Sequence, residues 1–361
     1  MQKNPNIKFD TPSLYYIPQY EPVLKELEKR GVNCELVIHK KPDNQLLLDS
    51  YTATTSLPFQ IIDSDEVLDY YQDCKPDWIL FGNGCSYLKE LDPHTKTALL
   101  YHGIGVKSCY YDPELAEFDL RFTEGQFRQE QLQQLYPQAY FVQTGFAKLD
   151  PLAKVNRPYS KAFDLASHRL DPNKPTLVYA PTFYPSSIEC LPINWPQELN
   201  DCNIIIKPHL ISYTHKKYAQ QRERFHHWAN FDNVYLAPAE EISLLPYMAT
   251  ADLLISEASS ALFEFAALDK PVIWLDFLKL RWSYRGPLRF RFEKRMDQTI
   301  HQYRQVATHV NKPSELAKIV KQELKEPLKR QKQRAETTQE LIGDLDGQVS
   351  VRIATTLLDK S

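Results

Sequence analysis

Glycine is scarce in this chain, ten in 361 residues. None of them stands in the G-x-G-x-x-G or P-loop spacing that cradles a dinucleotide or a nucleoside triphosphate. Cysteine is as sparse: Cys34, Cys74, Cys85, Cys109, Cys190 and Cys202 form no Cys-x-x-Cys pair and no Cys/His group at zinc spacing. They read as unpaired thiols of a reducing cytosol rather than as a disulfide frame. No carboxylate cluster suits a divalent ion, so no metal ligands and no cofactor are expected, and transfer without a protein-held metal is favoured. No apolar run reaches the length of a membrane span, and the first ten residues hold no apolar signal core, so the expected location is cytoplasmic, with at most a peripheral membrane contact. Charge of one sign is also missing. With 43 basic and 46 acidic residues the net charge is −3, which gives no global field for nucleic acid; an anionic ligand has to be held by local groups.

What is present is an ordinary soluble composition, 43% apolar and 25% charged, at a length of about two domains. In the first half, short β-branched or aromatic runs (CELVIHK, DWILFGNG, TALLYHGIG, DLRFTEG, AYFVQTG) alternate with helix-like stretches, the pattern of a parallel sheet with crossover helices. Pro18 and Pro22 bracket a helix start before VLKELEKRG, and Gly31 is placed to stop that helix. From Asp150 a polar stretch runs through Pro158 and Asp171 to Pro175, after which the alternation restarts with TLVYAPTF, NIIIKPHL, NVYLAP, ADLLIS and PVIWLD. The reading is two doubly wound α/β domains, 1–160 and 161–361, each delivering loops at the carboxyl ends of its strands. Near the end, Ser314 is placed to cap a long helix that Pro327 kinks or breaks. Its basic stretch, Lys329 to Arg334, reads as a solvated face or as a contact with anionic lipid or polyanion.

Five places carry chemistry. The stretch Ala251 to Leu275, ADLLISEASSALFEFAALDKPVIWL, runs from a buried strand into a helix through Ser259 and Ser260. Such a helix start offers backbone N–H groups, a positive dipole end and two hydroxyls to a phosphate; alternatively, one serine merely caps the helix. After TALLY comes His102, with Gly103 and Gly105 around it, where an imidazole can act as general base or simply hydrogen-bond its loop. NIIIKPHL sets Lys207 and His209 at another strand end as phosphate donors, or as residues satisfying the backbone. Thr182, in the loop of VYAPTF, is a further donor candidate. The segment WSYRGPLRFRF, with Arg281 just before it, groups Arg281, Arg285, Arg289 and Arg291, whose guanidinium forks match phosphates along an acceptor chain or else stack and pair with acids.

Taken in order, YHGIG, TGFAKLD, TLVYAPTF, IIIKPHL, the Ala251–Leu275 stretch, YRG and DGQVSVRIA resemble the CDP-glycerol glycerophosphotransferase family, which builds teichoic acids and related glycerol-phosphate polymers. The resemblance covers Leu99 to Ile353 and rests on the order of seven motifs. It implies a GT-B architecture of two Rossmann-like domains facing across a cleft, with an amino-terminal acceptor domain and a carboxyl-terminal nucleotide-donor domain. It also implies catalytic roles for His102 and His209, and phosphate binding by Ser259 and Ser260. The implied reaction moves glycerol phosphate, or a related alditol phosphate, from CDP-glycerol or another CDP-alditol to a hydroxyl of a polymer or glycolipid acceptor, releasing CMP at the inner face of the cell membrane. The chain departs from the family where Ser256, Glu257 and Ala258 replace the usual Thr-Asp-Tyr before the paired serines. It departs again at Ala147 and Lys148, where Pro-Arg is common. Two other classes remain open: a GT-B enzyme acting on nucleotide sugars, as glycosyltransferase or epimerase, and a noncatalytic polyanion-binding protein.

Overall fold

The computed structural model describes residues 5–42, 44–104, 107–156 and 158–360, so Gly105 lies outside the described residues. The chain divides into two compact units, one made of 1–103, 110–157 and 339–361, the other of 104–109 and 158–338. The first holds a seven-stranded sheet of β1 (Asn6–Thr11), β2 (Asn33–Lys40), β3 (Phe59–Asp63), β4 (Trp78–Phe81), β5 (Lys96–Leu100), β6 (Leu120–Thr123) and β7 (Phe141–Gln143), in the order β3-β2-β1-β4-β5-β6-β7. The second holds six strands, β8 (Thr176–Tyr179), β9 (Asn203–Ile206), β10 (Val234–Leu236), β11 (Leu253–Ser256), β12 (Val272–Leu275) and β13 (Thr308–Val310), in the order β10-β9-β8-β11-β12-β13. All neighbouring strands pair in parallel. Strand order reverses between β1 and β4 in one sheet and between β8 and β11 in the other, the switch points where open α/β sheets take ligands.

The runs WILF, TLVY, NIII, LLIS and VIWL are buried at every position, as strands covered by helices on both faces must be. β1 breaks that pattern. Its Lys8 and Asp10 are buried and survive there because each is partnered: Lys8 Nζ lies 2.5 Å from Glu35. The Asp10 carboxylate accepts from Tyr71 at 2.9 Å and Tyr87 at 2.8 Å, with His39 Nε2 also 2.8 Å away.

Several sequence expectations need correction. The helix expected to start after Pro22 begins earlier, at Ile17, and encloses Pro22. The helix ends as expected, with Gly31 at φ +77°. Ser314 does not cap; it sits inside a 3-10 turn, Pro313–Glu315, and the helix that follows runs Leu316–Lys325. The break at Pro327 is real, since a separate helix follows at Gln331–Leu341. The basic stretch is only partly a solvated face: Arg334 is 1% exposed and held by Asp269 at 2.9 Å.

The second domain does not run to residue 361. The chain leaves it after Thr338, and residues 339–361 complete the first unit. The physical cause is a set of specific contacts. The Asp150 carboxylate accepts from the backbone N–H of Val349 at 3.2 Å and of Ser350 at 2.7 Å, capping the helix Val349–Asp359 from 200 residues away. Arg352 Nε donates to the Thr144 carbonyl at 2.9 Å, and Arg30 Nη1 to Thr355 at 2.9 Å. A Cβ on Gly125 would lie 2.4 Å from the Glu340 carbonyl oxygen, so only glycine admits the returning chain there. TGFAKLD and DGQVSVRIA thus meet as a structural clasp.

Candidate functional site

In the first unit, β5 delivers His102 to the carboxyl edge of the sheet. Its Nδ1 lies 2.7 Å from the Gly82 carbonyl oxygen, just past the end of β4. A carbonyl only accepts, so Nδ1 donates, and in the neutral ring Nε2 is then the acceptor atom, the tautomer a general base requires. The ring stacks on Tyr16 (centroids 4.5 Å, 17°) and on Tyr101 (4.9 Å, 23°), and Tyr15 meets it edge-on at 5.0 Å. Burial raises the phenols of Tyr15 and Tyr16 above their ordinary range, so near neutral pH they stay protonated and pack rather than exchange protons.

Gly82 makes this packing possible. A Cβ there would stand 2.7 Å from Tyr16 Cδ2 and 2.8 Å from the Tyr20 hydroxyl. Tyr20 in turn donates to the Asp10 carbonyl at 3.0 Å, linking the His102 anchor to the partnered carboxylate at the β1/β4 switch point. Gly82, Tyr15, Tyr16 and Asp10 escaped the sequence reading; the visible signals were a glycine directly after WILF and a tyrosine pair just beyond β1.

In the second unit three strand ends contribute. Glu257, after β11, is 1% exposed. It accepts from the backbone N–H of Thr182 and of Ser187, both at 2.7 Å, and from the hydroxyls of Ser186 (3.3 Å) and Ser187. Burial nonetheless pushes its carboxyl up, outweighing these donors. Glu257 therefore clasps the loop after β8 and points into the protein.

Ser256 Oγ donates its one proton to the Ala180 carbonyl at 2.6 Å, so in its 2.9 Å contact with Ser259 the donor is Ser259. Ser259 precedes the helix Ser260–Ala266 but makes no side-chain cap bond. Ser260, half-buried at the first helical position, makes no side-chain hydrogen bond within the described residues. At the end of β9, His209 opens the helix Leu210–Thr214 and accepts from the Ile211 N–H at Nδ1, 3.2 Å. The proton of the neutral ring therefore sits on Nε2, a donor. Lys207 is half-buried two residues before it. The Thr182 hydroxyl proton is committed to the Pro185 carbonyl at 2.6 Å, leaving only acceptor capacity.

The arginines part ways. Arg281 lies 3.9 Å over the Tyr184 ring and donates to the Tyr218 hydroxyl at 3.2 Å. Tyr218 packs on Phe183, which flanks His209, so Arg281 belongs with the β8 and β9 loops. Arg285 is exposed and donates to its local Leu280 carbonyl at 2.5 Å, and Arg289 pairs with Glu293 at 3.3 Å on the surface. A cluster the sequence reading missed joins Asp276, just past β12, with His309 in the middle of β13 and Arg304 in the 3-10 stretch Gln298–Val306 before it. Burial pushes Asp276 up, but hydrogen bonds from His309 and Arg304 outweigh it and hold the carboxyl low. Among the described residues no group of three His, Cys, Asp or Glu could hold a metal ion.

Solved structures similar to this chain include the wall teichoic acid polymerase TagF, at 15% identity and TM-score 0.71, covering 99% of this chain and 89% of that one. A histidine-to-asparagine variant of TagF soaked with CDPG matches at 15% identity and TM-score 0.70, with the same coverage. A protein described as a UDP-N-acetylglucosamine 2-epimerase from Listeria monocytogenes matches at 12% identity and TM-score 0.66, covering 100% and 98%. At such identities these likenesses establish the fold, which is the GT-B type. No curated protein sequence matches. The family model for CDP-glycerol:poly(glycerophosphate) glycerophosphotransferase matches residues 112–359 and so begins after His102. With more than half its length matched, the chain belongs to the CDP-glycerol:poly(glycerophosphate) glycerophosphotransferase family and is a glycerophosphotransferase.

Proposed function

We propose that the protein transfers glycerol phosphate, or a related alditol phosphate, from a CDP-linked donor to a hydroxyl of a cell-surface polymer or glycolipid at the inner face of the cell membrane. His102 Nε2 takes the proton of the acceptor hydroxyl, whose oxygen bonds to the β-phosphorus of the donor. The bond from that phosphorus to the bridging oxygen breaks, and CMP leaves with the electron pair. The second unit holds the donor pyrophosphate. Ser260 and the backbone N–H groups at the start of its helix, His209 through Nε2–H, and Lys207 supply donors to it, and Ser259 joins by turning its proton away from Ser256. Thr182 shapes the rim of that site, and Arg281, Arg285 and Arg289 meet the anionic acceptor. The observation that carries the reading is the 2.7 Å contact of His102 Nδ1 with the Gly82 carbonyl oxygen, which makes Nε2 the acceptor of the neutral ring.

The test is release of CMP from CDP-glycerol by the wild type and by His102→Asn. The variant should bind donor with unchanged affinity and lose turnover by about a hundredfold or more. Undiminished turnover removes His102 as the base. The 2-epimerase among the similar structures motivates a second reading on nucleotide sugars, which release of a nucleoside diphosphate, or epimerisation without CMP release, would establish instead.

A further inference from the structure

The helix Ala219–Trp228 buries Gln221, Phe225 and Trp228 along one face, at i, i+4 and i+7. Phe225 and Trp228 join the apolar cluster around Leu177, Ile204 and Ile255. An aliphatic side chain at 221 would extend that contact with no polar group to desolvate. The residue is instead a carboxamide, 1% exposed, with its bonding capacity almost filled. Nε2 donates to the Phe183 carbonyl and to Glu189 Oε1, both at 3.0 Å, and Oε1 accepts from the Ser212 hydroxyl at 2.9 Å. With both amide hydrogens and one lone pair engaged, the group has a single orientation.

Two of these three partners flank His209. Phe183 lies in the loop after β8, and its ring packs against the imidazole with centroids 4.9 Å apart. Ser212 lies in the helix Leu210–Thr214, which His209 opens, and its N–H donates to the His209 carbonyl at 2.8 Å. The imidazole Nδ1 is itself held by the Ile211 N–H of that helix. The aim of the ring is therefore set by where the helix begins and where Phe183 stands. Arg222, the next residue after Gln221, secures the other end of the short helix, donating from Nη1 to the Ser212 and His215 carbonyls at 2.9 Å. We infer that Gln221 is a positioning residue for donor binding, pinning the loop after β8 to the helix Leu210–Thr214 and so fixing where His209 Nε2–H points. The inference rests on the reading of His209 as a donor to the pyrophosphate. A glutamine that only filled space could be exchanged for any side chain of its volume. One that positions cannot, because the Phe183 carbonyl and the Ser212 hydroxyl have to be held in register with each other.

The experiment is steady-state CMP release from CDP-glycerol, with donor and acceptor varied in turn, by Gln221→Met, Ser212→Ala, His209→Ala and the double variant of Gln221→Met with His209→Ala. Methionine keeps the length of glutamine and donates nothing. Gln221→Met should raise donor KM by about tenfold or more and leave acceptor KM near wild type. Ser212→Ala, which cuts only the bond to the short helix, should raise donor KM by a smaller factor. In the His209→Ala background, adding Gln221→Met should change donor KM by less than about twofold, since the side chain it acts through is already gone. The same cycle run with Ser212→Ala carries the test if Gln221→Met does not fold. Unchanged donor KM in the single variant, equal rises in donor and acceptor KM, or an undiminished penalty in the double variant would each overturn the proposal and leave the role of His209 standing. Wild-type donor KM in His209→Ala would overturn both the proposal and that role.

Discussion

A methyl group added at Gly82 would press on Tyr16 and Tyr20 at once, and the same residue supplies the carbonyl that orients His102. Gly82→Ala should therefore lower kcat by about tenfold or more while leaving the donor KM near wild type, in steady-state assays of CMP release. Ser259 and Ser260 differ in what their protons already do. Because Ser259 donates to Ser256, Ser260→Ala should weaken donor binding more than Ser259→Ala, by about two- to tenfold in Kd measured calorimetrically. Glu257 is a question of pH. Its folded carboxyl titrates above the ordinary value of 4.5 because it is buried. Between 4.5 and that raised value the native state binds more protons than the unfolded one, so stability falls as pH rises through this window and levels off beyond it. Glu257→Gln should remove that fall, as seen in urea midpoints across the acid to neutral range. The placing of His102 and His209 just past buried strands was legible, because the apolar runs TALLY and NIII end at Tyr101 and Ile206, shortly before them. Gly82 and Tyr16 were not, because pairing of β1 and β5 with β4, between residues distant in sequence, brings them to the imidazole. Glu257 looked like a longer version of an aspartate, and only its buried donors reveal a clasp.

Strands with an unbroken apolar run were readable, since burial on both faces of a parallel sheet demands one. β1 was not recognised because NIKFDT carries Lys8 and Asp10, whose partners come from other strands and helices. β3 was missed because it is an edge strand, FQIID, with mostly exposed side chains. The loop after β7 and the last helix offered a different lesson. TGFAKLD and DGQVSVRIA stand out as motifs, yet Asp150 spends both carboxylate oxygens on the start of Val349–Asp359. Gly145, at φ +101°, leaves room for Val349, which a Cβ would meet at 2.7 Å. Asp150→Ala should cost about 1–2 kcal/mol in urea unfolding, the usual loss for a helix cap, without a change in the catalytic pH profile.

At the scale of the molecule, the crossing near residue 157 was legible as a polar, proline-bearing stretch. The return at 338–339 was not, because it falls inside the helix Gln331–Leu341, where composition does not shift. Deleting residues 339–361 should lower the unfolding temperature of the first unit by several degrees and leave that of the second near its original value, resolved as two calorimetric transitions. That deletion uncovers the helix Ile17–Lys29, against which Val349–Asp359 packs. The same arrangement governs the order of events on the ribosome. The second unit has all its residues once position 338 has been made. The first unit, though begun earlier, keeps an open apolar flank until the helix Val349–Asp359 emerges, so of the two units the one that carries His102 is completed later.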